Sequence, residues 1–350
     1  MICESTHVPI TSRRPNLART IRLCLTPWAY LAAMMVFTAH AEAQSCSVSA
    51  APGNYGSVDI LTGASVDTTS SFSVNCTGCL SPLGCNYNVC VQFDQGSPNS
   101  NSSVRYMGSG PNTIQHELYV DAARTQVWGS WGYGTSPYGA GGVSLNLTIP
   151  FLSNASHAYT VYGRLSAGQQ TAVPGTYTWS TASPALAGSG YLLVSPNCSA
   201  NPGNFVNAGS SPFVVTILAN CHLSATPLNF GSASLLTSNV DAAGTLTVQC
   251  TNTTPYSIGL DSGANASGSQ RRMLSGASNY VSYNLYTDAA RSAAWSTTTS
   301  ASSCTNGSST CILGTGTGSN QSVTVYGRVP PQTAPAVGTY SDTVIATITF

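Results

Sequence analysis

His116, His157 and His222 are the imidazoles available beyond residue 44, and none has the H-E-x-x-H spacing that sets two zinc ligands on one helix face. No G-x-S-x-G turn offers an exposed serine nucleophile. Glycoside hydrolysis would need two carboxylates across a cleft. The single-copy candidates, Asp94 and Glu117, show no partner in the sequence. Asp121 and Asp288 stand in identical Asp-Ala-Ala-Arg segments, and Arg164 and Arg328 in identical Val-Tyr-Gly-Arg segments, which suggests fold rather than catalysis. Were Asp-Ala-Ala-Arg a helical turn, its Asp and Arg would lie within pairing reach. Cys76-Thr77-Gly78-Cys79 has metal-ligand spacing, but a zinc site wants a second such pair or nearby histidines. The expectation is a protein with no catalytic, metal or cofactor-binding residues, one that works by binding.

Binding chemistry is better represented. Trp131, Tyr133 and Tyr138 fall in Trp131-Gly132-Tyr133-Gly134-Thr135-Ser136-Pro137-Tyr138-Gly139, where strand packing does not easily bury every ring. Clustered aromatics at a surface mark interaction sites, although such rings can also fold back over a sandwich end. Trp128 aligns with Trp295 and is read as core. A second candidate is Leu80-Ser81-Pro82-Leu83-Gly84, enclosed by Cys79 and Cys85, where a disulfide would hold Leu80 and Leu83 in a rigid apolar tip.

The elements that position these groups come from a tandem repeat. Ser49-Ala50-Ala51-Pro52-Gly53-Asn54-Tyr55-Gly56-Ser57 matches Ser224-Ala225-Thr226-Pro227-Leu228-Asn229-Phe230-Gly231-Ser232, and four further blocks recur in order, down to Gly175-Thr176-Tyr177 and Gly338-Thr339-Tyr340. Within each repeat apolar and hydroxyl residues alternate, as in Val344, Ala346, Ile348 and Phe350 against Thr343, Thr347 and Thr349, with Ile345 on the hydroxyl side. Such runs between Gly, Pro, Asn and Ser clusters read as short strands, giving an all-β fold of two tandem sandwiches. The division expected is a signal peptide at 1–43, an N-terminal domain at 44–200, a linker at 201–211 and a C-terminal domain at 212–350.

The signal peptide is read from Arg13, Arg14, Arg19 and Arg22, then an apolar run to Phe37, then Ala39-His40-Ala41-Glu42-Ala43. It implies export, and an exported chain with an even number of cysteines implies disulfides. Cys46 with Cys76 and Cys221 with Cys250 are matched pairs, and Cys304 and Cys311, which bracket a local loop, are expected to pair with each other. The pairing of Cys79, Cys85, Cys90 and Cys198 stays open. Only 6% of residues are charged and there is no lysine, so the basic footprint of a nucleic-acid binder is missing.

These blocks resemble the spore coat protein U domain, the pilin-type module of archaic (Csu-type) chaperone–usher pili. The second repeat resembles it best, from Phe213-Val214-Val215-Thr216-Ile217-Leu218-Ala219-Asn220-Cys221 through Val-Tyr-Gly-Arg to Gly338-Thr339-Tyr340 and the terminal Phe350. The resemblance implies incomplete immunoglobulin-like sandwiches, each completed by a neighbour's donor strand. It makes Phe213, Val215, Ile217 and Ala219 donor-strand plugs, most naturally for the chain's own first domain. Physically this is strand addition at an exposed sheet edge. With only Gln44 and Ser45 ahead of Cys46 after cleavage, no strand remains to donate onward. The chain would then be a fibre-tip adhesin, at the cell surface after periplasmic transit. Its implied partners are a periplasmic chaperone, an outer-membrane usher, an adjacent pilin subunit donating a strand to the C-terminal domain, and an abiotic hydrophobic surface or a glycan. A spore-coat or extracellular matrix protein is the alternative reading, and an unrecognised secreted hydrolase the third.

Overall fold

The computed structural model describes residues 45–96, 104–132, 138–180, 185–191, 198–199, 204–207, 212–296, 310–333 and 335–350. The expected signal peptide lies outside them, as do Tyr133 and Cys304. Among the described residues no helix is long and apolar enough to cross a membrane.

The first sandwich contains β1 (Ser45–Ala50), β2 (Gly53–Val58), β3 (Val66–Thr77), β4 (Cys85–Gln92), β5 (Arg105–Ser109), β6 (Asn112–Tyr119), β7 (Val143–Ile149), β8 (Asn154–Leu165), β9 (Gly175–Ser180), β10 (Ala185–Tyr191), β11 (Asn204–Asn207) and β12 (Pro212–Ile217). One sheet has the order β1-β3-β8-β6-β5-β9-β12-β2 and the other β11-β10-β4-β7. Period-two alternation decides which residues face inward: Phe72, Val74 and Cys76 of β3 are buried, while Ser73 and Asn75 between them are not fully covered. At Ala51-Pro52 the chain leaves its pairing with β3, and β2 goes on to the far edge of the same sheet. Proline cannot donate to a ladder, which suits a strand changing partners.

The second sandwich repeats the pattern with β13 (Cys221–Ala225), β14 (Val240–Cys250), β15 (Pro255–Leu260), β16 (Arg271–Ser275), β17 (Asn279–Tyr286), β18 (Ile312–Thr315), β19 (Gln321–Val329) and β20 (Ala346–Thr349). Its sheets are β13-β14-β19-β17-β16 and β18-β15-β20. The sequence counterparts of β2 and β9, around 228–233 and 338–343, are present but belong to no strand, and a single bridge, Leu274 to Ser341, remains there. In the first sandwich those two elements are joined by β12; without such a strand between them neither completes a ladder.

Disulfides Cys46–Cys76 and Cys221–Cys250 link β1 to β3 and β13 to β14 at directly paired positions. Cys79–Cys85 and Cys90–Cys198 resolve the cysteines whose pairing the sequence leaves open. Arg105 is fully buried and donates to the carbonyls of Asp94, Phe93 and Trp128 and to Glu117. Arg271 does the same in the second sandwich, toward Leu260, Asp261, Trp295 and Ser296. Glu117 is thus held by a structural arginine.

The Asp-Ala-Ala-Arg segment is also not a helical ion-pair turn. Arg124 and Arg291 have φ of 56° and 58°, and their guanidinium groups pair with Asp67 and Asp241 instead. The Asp121 carboxylate caps the turn by accepting from the Thr125 and Gln126 amides. Arg164 and Arg328 complete the two clusters at 2.7 Å from the same aspartates. Hydrogen bonding to Arg164 holds the Asp67 carboxyl below its usual range.

Candidate assembly groove and distal apolar face

In the first sandwich β12 lies antiparallel to β9 and parallel to β2, so its backbone is paired on both sides. Phe213, Val215 and Ile217 point inward and are 1%, 0% and 2% exposed. The Phe213 ring sits 6.2 Å from Tyr55, 6.1 Å from His116 and 5.9 Å from Trp179. Gly53 makes room for it, because a Cβ there would lie 2.1 Å from the ring. Chain order at residue 212 assigns this strand to the C-terminal domain; its partners put it in the N-terminal one. Ala219, expected as a fourth plug, is exposed. After Leu218 bonds to Val58, Asn220 turns the chain, with its side-chain amide on Asp59 at 2.8 Å.

The corresponding place in the second sandwich is an apolar groove of about 450 Å³. Leu228 and Phe230 form one wall, Tyr340, Asp342 and Val344 the other, and Tyr283 lies between. The Tyr283 hydroxyl donates to Asp342 Oδ2 at 2.7 Å, while Oδ1 accepts from the Asn265 amide. Burial, reinforced by that carboxylate, pushes the Tyr283 phenol far up. The groove thus has an apolar floor and walls outside any ladder, the conditions under which an added strand gains both backbone bonds and side-chain burial.

A second feature lies at the opposite pole. β3 and β8 are twelve residues each, on the order of 40 Å. At one end the second sandwich is attached through Asp59, which meets His222 at 3.1 Å, and through Thr171, whose carbonyl accepts from Asn252. At the other end are the turns β3–β4 and β7–β8. They expose Leu80 (54%), Leu83 (96%), Phe151 (48%) and Leu152 (70%). Cys79–Cys85 closes the first turn, and the Leu152 amide donates to the Cys79 carbonyl at 2.9 Å. Leu152 adopts φ 54°, a left-handed conformation uncommon for leucine. Phe151 and Leu152 were not read from the sequence; the signal was an apolar triplet, Pro150-Phe151-Leu152, at a turn where polar residues are usual.

The described rings of the aromatic segment, Trp131 and Tyr138, do not join that face. Tyr138 is 2% exposed, lies under the Arg105 guanidinium at 4.2 Å and donates its hydroxyl to Glu117, so the expectation of an exposed ring is corrected. Burial, with the Glu117 charge beside it, pushes its phenol up. Trp131 is half-buried against the Cys90–Cys198 disulfide. Gly141 and Gly142 are the floor for its ring, since a Cβ on either would come within 2.5 or 2.8 Å. The Trp131 amide bonds to Gln92 at one end of β4, whereas Leu83 precedes Cys85 at the other.

Comparison with known proteins is consistent with the repeat. The Spore Coat Protein U domain model matches residues 32–180 and 208–347. Protein U of Myxococcus xanthus is 40% identical over 136 residues, spanning 35% of this chain and 71% of that protein. Among solved structures, a chain of the CsuC–CsuE chaperone–tip adhesion subunit pre-assembly complex from archaic chaperone-usher Csu pili of Acinetobacter baumannii is 17% identical. Its TM-score is 0.48, over 87% of this chain and 100% of that one. The CupB6 tip adhesin of Pseudomonas aeruginosa is 9% identical with a TM-score of 0.34, over 87% and 93%.

Proposed function

This chain belongs to the Spore Coat Protein U domain family, and on that footing we propose that it is the terminal, surface-attaching subunit of an exported fibre. The observation that carries this reading is the difference between its two sandwiches. The first holds β12 between β2 and β9; the second has the same two flanking segments and an open apolar groove between them. A strand from a neighbouring subunit fills that groove in the assembled fibre. Before assembly a periplasmic chaperone shields it, and an outer-membrane usher then exchanges the chaperone for the neighbour. The first sandwich cannot accept a second strand in the same place, because β12 already occupies it. The first sandwich therefore points outward.

On this reading the exposed quartet Leu80, Leu83, Phe151 and Leu152 is the attachment face, and a hydrophobic surface its ligand. The protein acts without catalysis. Immunogold labelling on producing cells tests the placement: gold at fibre ends is the expected result. Gold along whole shafts, or spread over cells that carry no fibres as a coat protein would be, overturns it.

A further inference from the structure

The two sandwiches match residue by residue in sequence at the groove, and they differ at the position facing Phe213. Pro52-Gly53-Asn54-Tyr55-Gly56 corresponds to Pro227-Leu228-Asn229-Phe230-Gly231. Both segments make the same turn, with the Gly56 amide on Asn54 Oδ1 at 2.7 Å and the Gly231 amide on Asn229 Oδ1 at 2.8 Å. Leu228 therefore stands in the second sandwich where Gly53 stands in the first. The facing glycine tells what fills the space. A Cβ on Gly163 would meet the Phe213 ring at 3.2 Å; on its counterpart, Gly327, it would meet the two Leu228 methyls at 2.9 and 3.0 Å. Leu228 occupies the room that the Phe213 ring occupies in the first sandwich. The opposite wall has changed too. Trp179, which packs edge-on to Phe213, is replaced by Asp342, whose carboxylate is committed to Tyr283 and Asn265.

Resting on the reading of the groove as a strand acceptor, we infer that it selects a donor strand whose leading inward residue is small. It thereby excludes β12 of a second copy of this chain. A phenylalanine at that position meets the Leu228 side chain, which stands where the Phe213 ring sits in the first sandwich, and finds no indole to pack against. Leu246, Leu260 and Val325 keep the rest of the groove lining apolar. Selection by an obstructing side chain is discrimination against a wrong partner as much as attraction to the right one. The occupant is thus an extended strand of a different subunit, with Gly, Ala or Ser at its leading inward position and larger apolar residues two and four places on.

The test uses the full chain extended after Phe350 by a flexible linker and a copy of residues 212–220, either unchanged or carrying Phe213→Ala in the copy. The melting transition of the second sandwich is assigned by hydrogen exchange in β14 and β19. The alanine copy is expected to raise it by roughly 10 °C or more, and the unchanged copy by less than half as much. In a Leu228→Gly chain the order should reverse. An unchanged copy that stabilises the parent chain as well as the alanine copy overturns the size selection while leaving the groove an acceptor. Neither copy stabilising either chain overturns the acceptor reading itself, and the selection with it.

Discussion

His116 shows how much a single buried side chain can report. It is 1% exposed, its Nδ1 lies 3.4 Å from the Tyr55 hydroxyl, and its Nε2 has no hydrogen-bond partner. Desolvation, with the Arg105 guanidinium adding to it, holds the imidazole well below its usual pKa. The unfolded chain binds a proton near pH 6.5 while the folded chain does not, so stability is full above that pH and declines as pH falls toward the folded value. The slope is at most about 1.4 kcal/mol per pH unit. Thermal scans between pH 7.5 and 5 should show the first-sandwich transition falling with pH, and His116→Phe should flatten that dependence. The second sandwich has Tyr283 in this place and no such decline is expected from it. The same scale shows what sequence could not convey at Trp131 and Tyr138. Glycine spacing says that side chains are absent, but not whether solvent or a neighbouring ring takes the room. Here the ring takes it.

Among the elements, β12 is the most consequential. Its inward residues were legible because alternation fixes parity: Phe213, Val215 and Ile217 share a face in any extended strand. Where the strand stops was not legible, because the end is set by Asn220 reaching Asp59, a contact across 161 residues. Parity alone therefore carried the reading one plug too far, to Ala219. The donor-type strand of the first sandwich should be as costly to damage as any core strand. Phe213→Ala is expected to cost about 3–5 kcal/mol, read as a lower denaturant midpoint for the first sandwich with the second unchanged. The repeat itself was legible from five blocks in order, whereas the four extra cysteines of the first sandwich needed the fold to pair them. Cys90 and Cys198 lie 108 residues apart and meet only because β4 is brought beside the end of the first domain.

Over the whole molecule, the two surfaces proposed for attachment and for assembly sit at opposite ends. The apolar turns of β3–β4 and β7–β8 are at one pole, and the open groove belongs to the sandwich joined at the other. Leu80 and Leu83 were legible because Cys79 and Cys85 enclose them, whereas Phe151 and Leu152 were not, since apolar residues at an unbracketed turn look no different in sequence from ones that fold inward. Leu83→Ser combined with Leu152→Ser should reduce attachment of producing cells to polystyrene several-fold. Melting temperature and fibre number should stay unchanged, because both side chains are largely in solvent. A large fall in stability instead would assign them to the fold.

The short connection from β12 into β13 has a mechanical consequence. Only Leu218, Ala219 and Asn220 separate the strand that completes the first sandwich from the one that starts the second. In the proposed fibre, tension between the attached pole and the strand-filled groove would enter the first sandwich at Ile217 and run along the axis of β12. The bonds of β12 to β9 and to β2 lie across that axis, so the load shears them together rather than unzipping them one at a time. Resistance to pull then depends on the barrier to releasing the whole strand at once, and the strand that completes the fold also serves as its tether.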